Sequence, residues 1–254
     1  MTKLHKVLAS AAAIAALPAA SAVAAPVKNI VLVHGAFADG SGWKPVAEIL
    51  RKDGYIVSVV QTPMTSLDDD AAATKRILER QNGPAVLVAH SYGGAVITKA
   101  GDDPKVSALV YIAAHAPDVG ERQTENGKRF PSAGRTAFQI TDDGYAFLDT
   151  ARFPAEFAAD LPRPQAEFEA NSLGPTAAVA FSTPINNAAW KTKPSWYMVA
   201  GSDHIINPEL ERMYAKRANS VTTEIEDASH SVYASHPKEV AKLIEDVAWQ
   251  LKSE

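Results

Sequence analysis

Short, unbroken apolar runs recur along this chain with helix-period segments between them, and that alternation restricts the fold more than any other feature. A strand covered on both faces reads as a continuous apolar run, because neither face has to meet water. Residues 29–33, 55–60, 85–89, 106–113 and 196–200 are runs of this kind, and 221–225 closes the series. Between them, 43–51, 66–81, 93–99 and a stretch opened by Asn207-Pro208 read as helices, and His236-Pro237 opens a last one. Ser66 and Asp69 have the spacing of an N-cap pair. Strand, helix and strand in succession call for right-handed crossovers. The expected architecture is α/β, with a mostly parallel central sheet flanked by helices.

From about 117 to 190 the pattern changes. This stretch holds seven of the 16 prolines and short helical pieces such as 154–160, but no strand-like apolar run. A long segment without strands of its own is expected to be a helical lid inserted after the fourth strand.

The first residues lie outside the alternation. Lys3 and Lys6 precede an apolar stretch from Val7 to Leu17, and Ala-Ser-Ala-Val-Ala-Ala follows before Pro26. A charged head, a short apolar middle and small residues make the pattern of a secretory signal, with cleavage after Ala22 or Ala24. The expectation is a signal peptide at 1–24 and a single mature domain at 25–254, working in a periplasm or outside the cell. The apolar stretch is far short of the ~20 residues that span a bilayer, and no later segment is long enough, so no membrane span is expected. A net charge of -4 without a Lys/Arg-rich tract offers nucleic acid no attracting field. Cysteine is absent, which removes disulfides, thiol catalysis and thiolate zinc sites from consideration.

The chemistry concentrates where strands end. Val-Ala-His-Ser91-Tyr-Gly-Gly stands at a strand-to-helix junction, where a sharp turn can hold a serine hydroxyl above the sheet. The motif is A-x-S-x-G, with Ala89 where glycine is usual; a small side chain still lets the helix approach. A serine hydroxyl needs a base that titrates near neutrality, and histidine fits. His230, in Asp-Ala-Ser-His-Ser after the last strand, is the candidate, with His236 as its rival. The base needs a carboxylate to set its tautomer, and Asp203, in Ala-Gly-Ser-Asp-His after the fifth strand, lies on the same rim; Asp118 is the substitute. Acyl transfer also needs donors aimed at an oxyanion. The Tyr92 N–H follows the nucleophile, and His34-Gly35-Ala36-Phe37 after the first strand can supply a second from Ala36. Phe37, His34 and His115 are the candidates for touching a substrate.

Together VLVHGAFADGSGW, AHSYGGAV, AGSDHIINP and EDASHSVYASHP resemble, in order and over about residues 28–240, the α/β-hydrolase superfamily. The nearest likeness is to the branch of small plant methylesterases, hydroxynitrile lyases and their bacterial relatives. The resemblance implies Ser91, Asp203 and His230 as a triad, Ala36 and Tyr92 as oxyanion donors, no cofactor and no metal. The lyases of that branch carry threonine where Gly35 stands and lysine where Ser231 stands, so the expected activity is hydrolysis of a small-molecule ester. A cofactor-free perhydrolase, a lyase and a non-catalytic binding protein on the same fold are the alternatives.

Overall fold

The computed structural model describes residues 27–251, and the expected signal peptide lies outside the described residues. In chain order the first elements are β1 (Asn29–Val33), α1 (Lys44–Lys52), β2 (Ile56–Val60), α2 (Leu67–Glu79), β3 (Ala85–Ser91), α3 (Gly93–Ala100) and β4 (Val106–Ala114). There follow α4 (Gln123–Arg129), β5 (Phe138–Ile140), β6 (Tyr145–Leu148), α5 (Phe153–Glu156), α6 (Arg163–Asn171), β7 (Thr176–Ala177) and α7 (Val179–Ser182). The chain closes with β8 (Ser195–Ala200), α8 (Pro208–Arg217), β9 (Val221–Ile225), α9 (Val232–Ser235) and α10 (Pro237–Gln250).

Six strands form one sheet in the order β2-β1-β3-β4-β8-β9, and every neighbouring pair is parallel. The apolar runs behave as two-sided burial requires. Val31, Val33, Leu87 and Ala89 pack toward α2, α3 and the insertion, while Ile30, Leu32, Val86 and Val88 pack toward α1 and α10. From β1 the chain passes to β2 on one side and later to β3 on the other, so a crevice opens at the carboxyl ends of β1 and β3. Val33 and Ala89 are register partners, which sets the loop after β1 beside the turn after β3.

Ser66 caps α2 as its spacing predicts, its Oγ accepting the Asp69 N–H at 3.0 Å. Asn207 does the same for α8, accepting the Glu209 N–H at 2.9 Å. The expected helix at Trp43 begins one residue later, because Gly40–Trp43 forms a 3-10 turn first.

The inserted stretch departs from the all-helical expectation. Beside α4 to α7 it contains a three-stranded sheet in the order β5-β6-β7, and both pairings are antiparallel. β5 spans three residues and β7 two, too short for any alternation to register in sequence. Gly144, at φ 86°, turns β5 into β6 in a conformation that a side chain would resist.

Candidate active site

β3 runs directly into Ser91, whose φ of 55° lies in the left-handed region that residues with a side chain rarely occupy. That strain turns the hydroxyl out of the sheet. The turn closes because α3 can approach β1: a Cβ on Gly93 would lie 2.6 Å from the His34 carbonyl oxygen. Gly35 meets the same limit from the other side, since its Cβ would lie 2.7 Å from Ser91 Cβ.

The three chain-distant residues meet here. The Ser91 hydroxyl donates to His230 Nε2 at 2.8 Å, and His230 Nδ1–H donates to Asp203 Oδ2 at 2.5 Å. The carboxylate can only accept, so it sets the imidazole tautomer that leaves Nε2 free to take a proton. Asp203 Oδ1 is held in turn by the backbone N–H groups of Ile205 at 2.6 Å and Ile206 at 2.9 Å. Neither rival enters this relay. Asp118 pairs with Lys191 at 2.6 Å, and His236 Nδ1 bonds the Ser235 hydroxyl at 2.9 Å.

His230 is braced on two sides. His90, fully buried, donates from Nε2 to the His230 carbonyl oxygen at 2.8 Å. Burial and the neighbouring His230 hold its pKa well below the ordinary imidazole value, so it stays neutral. On the other side the Phe157 ring meets His230 edge-on, with ring centroids 4.6 Å apart, and the Phe157 carbonyl accepts the Ser231 N–H at 3.0 Å. Asp160 accepts the Ser229 N–H at 3.0 Å and also the Ser229 hydroxyl. The insertion therefore helps to hold the loop that carries His230.

Ser91 opens into a cavity of about 570 Å³ whose walls include Ala36, Phe37, Tyr92 and His115. Tyr92 is the N-cap of α3, so its N–H precedes the helical hydrogen-bond ladder. Its phenol is anchored by Asp70 Oδ2 at 2.6 Å. His115 is kept neutral, because desolvation pushes its pKa down to about 3. His34 is placed otherwise than expected. It is absent from the cavity wall, donating from Nδ1 to the Gly35 carbonyl at 2.9 Å and accepting the Thr62 N–H at Nε2, 3.1 Å away. Its ring ties the β1 loop to the segment after β2. Among the described residues no group of three or more His, Cys, Asp or Glu is arranged to hold a metal ion.

The family model described as the alpha/beta hydrolase family matches residues 30–243. The chain belongs to this family. It is 28% identical over 251 residues to a pyrethroid hydrolase of Sphingobium wenxiniae, an alignment covering 87% of this chain and 88% of that one. It is 26% identical over 251 residues to methylesterase 7 of Arabidopsis thaliana, covering 87% and 96%. Among solved structures, polyneuridine aldehyde esterase superposes with a TM-score of 0.77 at 18% identity, covering 87% of this chain and 99% of that one.

Two features of this hydrolase had no sequence signal. Phe181 lines the cavity from α7, a four-residue helix inside the insertion. Glu211 is fully buried on α8, its Oε2 accepting the Ala200 N–H at 3.1 Å, although it stands in a run of charged residues that reads as a solvated helix.

Proposed function

We propose that the protein hydrolyses carboxylic esters of small, largely apolar molecules through an acyl-enzyme on Ser91, acting outside the cytoplasm after loss of residues 1–24. The observation that carries this reading is the continuous relay from Ser91 Oγ through His230 to Asp203, at 2.8 Å and 2.5 Å, at the base of a cavity large enough for a substrate. His230 Nε2 takes the hydroxyl proton as Ser91 Oγ attacks the ester carbonyl. The N–H groups of Ala36 and Tyr92 receive the oxyanion, a contribution of roughly 10² to 10³ in rate for each donor. The imidazolium then protonates the departing alcohol, and water repeats the sequence in reverse to release the acid.

The names of the relatives support ester cleavage in particular, since a pyrethroid hydrolase and a methylesterase are among them. Lyase chemistry is disfavoured by Ser231, which follows the base and brings no charge to a departing cyanide. The test is covalent and kinetic together. A fluorophosphonate should label Ser91 alone, and the mature protein should turn over short or medium acyl esters. Labelling that persists in Ser91→Ala, or binding of esters with neither labelling nor turnover, would overturn the reading.

A further inference from the structure

The walls of the Ser91 cavity divide by chemistry. Aromatic residues supply part of the lining, with Phe37 against Phe138 and Phe181, Tyr92 against Phe181, and Phe157 also in the wall. The lining drawn from α4 and the turn after it is polar and presents Gln123, Thr124, Lys128, Ser132 and Arg135. Among the described residues no Asp or Glu lines the cavity, although the chain carries 29 acids against 25 Lys and Arg.

Neither cation has an acid to answer it. Lys128 has no ion pair or hydrogen bond among the described residues, and the Arg135 guanidinium bonds only the Ser132 carbonyl, at 3.2 Å from Nη1. Three other cations on the insertion are neutralised, Arg122 by Glu125 at 3.1 Å, Arg152 by Glu156 at 2.8 Å and Arg163 by Glu167 at 2.7 Å. Arg129 has no ion pair among the described residues either, but it does not line the cavity. Lys128 in the last turn of α4 complements that helix's negative end, but this gives no account of Arg135. Gln123, 5% exposed, leaves both its amide oxygen and its amide nitrogen without a partner on the same wall. A wall with unused donors, two cations and no acid selects for negative charge.

We propose that the physiological substrate is an amphipathic ester that also bears a carboxylate, its aromatic or alicyclic body against the phenylalanines and its anion against Lys128 and Arg135. This proposal rests on the esterase reading and specifies its substrate class. Carboxylate fits the pair because a guanidinium presents planar paired donors and an ammonium adds a point charge. Both cations are exposed at the cavity rim, so the selectivity they confer is salt-sensitive.

The test compares two ligands of one body, the monomethyl and the dimethyl esters of a biphenyl dicarboxylic acid, binding to the Ser91→Ala protein by calorimetry. The half-ester should bind about tenfold more tightly at low salt, with the advantage shrinking as salt is added. The ratio of the two affinities should fall to near one in Lys128→Ala/Arg135→Ala, and to an intermediate value in Lys128→Gln or Arg135→Gln should the double variant fail to fold. Equal affinities in the parent, or a ratio that survives the substitutions, would overturn the proposal. Turnover of the dimethyl ester by the unsubstituted protein is read separately. Its absence, with the half-ester preference intact, would sink the esterase reading and leave the cationic wall standing.

Discussion

The Glu211 carboxyl lies against the Asp203 carboxylate, and the protein buries both. Two ionised carboxyl groups in that position would repel without water to screen them. Burial first, then the charge of Asp203, then hydrogen bonding to Asp203 hold the Glu211 pKa well above the carboxylate range. The proton it retains removes the repulsion with Asp203, while Oε2 accepts the Ala200 N–H at 3.1 Å.

Replacing Glu211 by Gln should preserve the fold and most of kcat, because the amide also donates and accepts. Leu should cost about tenfold more in kcat, since it leaves the buried Ala200 N–H beside Asp203 without its acceptor. The sign of the pH effect follows from the raised folded-state pKa. Stability from this group is complete below the unfolded value of about 4.3 and is lost as pH rises through the folded one. The thermal midpoint of Glu211→Gln relative to the parent should therefore improve as pH rises above the unfolded value. A flat difference would mean that Glu211 is ionised in the native state.

Asp203→Asn should lose about 10⁴ in kcat with little change in thermal midpoint, as expected when the acceptor that sets the histidine tautomer becomes an amide. Asp118→Asn, whose partner is Lys191 at 2.6 Å, should change kcat by less than about threefold. The reverse pair of results would move the acid to the loop after β4.

Gly35 packs too closely against Ser91 to carry a side chain without a shift. A side chain there must displace Ser91, since its Cβ would sit 2.7 Å from Ser91 Cβ. Gly35→Thr should lower kcat on an activated ester by about 10², the scale of a 1 Å misplacement of a reacting group. Neither form should release cyanide from mandelonitrile above background. Stereoselective release that vanishes in Ser91→Ala would refute the assignment while leaving the triad in place.

On the acid side the buried histidines set the limit. Desolvation and the nearby His230 push the His115 pKa down to about 3, and burial lowers His34 and His90 as well. Each group contributes stability above the unfolded value of about 6.5, and that stability fades as pH falls below it toward the folded values. Acid unfolding followed by circular dichroism should begin below about pH 6.5. In His115→Gln it should move to lower pH, and an unchanged or higher midpoint would contradict the neutral assignment.

Most of the candidate site's geometry could be read in the sequence because parallel strands place it by rule. Ser91, Asp203 and the His230 loop each follow a strand of one sheet, so chain positions far apart converge on one rim. The insertion obeyed no such rule. β5 and β7 are pairings of three and two residues, decided by what they pack against and not by their own pattern. His34 misled for a related reason: its place beside Gly35 suggested the cavity, but Thr62, 28 residues along the chain, takes its ring. Glu211 was hidden because burial of a carboxylic acid depends on Asp203 and Ala200 beside it, and neither is its neighbour in sequence.

The hold of Phe157 and Asp160 on Ser229 and Ser231 makes the insertion and the His230 loop one mechanical unit. A displacement of the chain after α5 would carry that loop with it, and with the loop the 2.8 Å contact between His230 Nε2 and Ser91 Oγ.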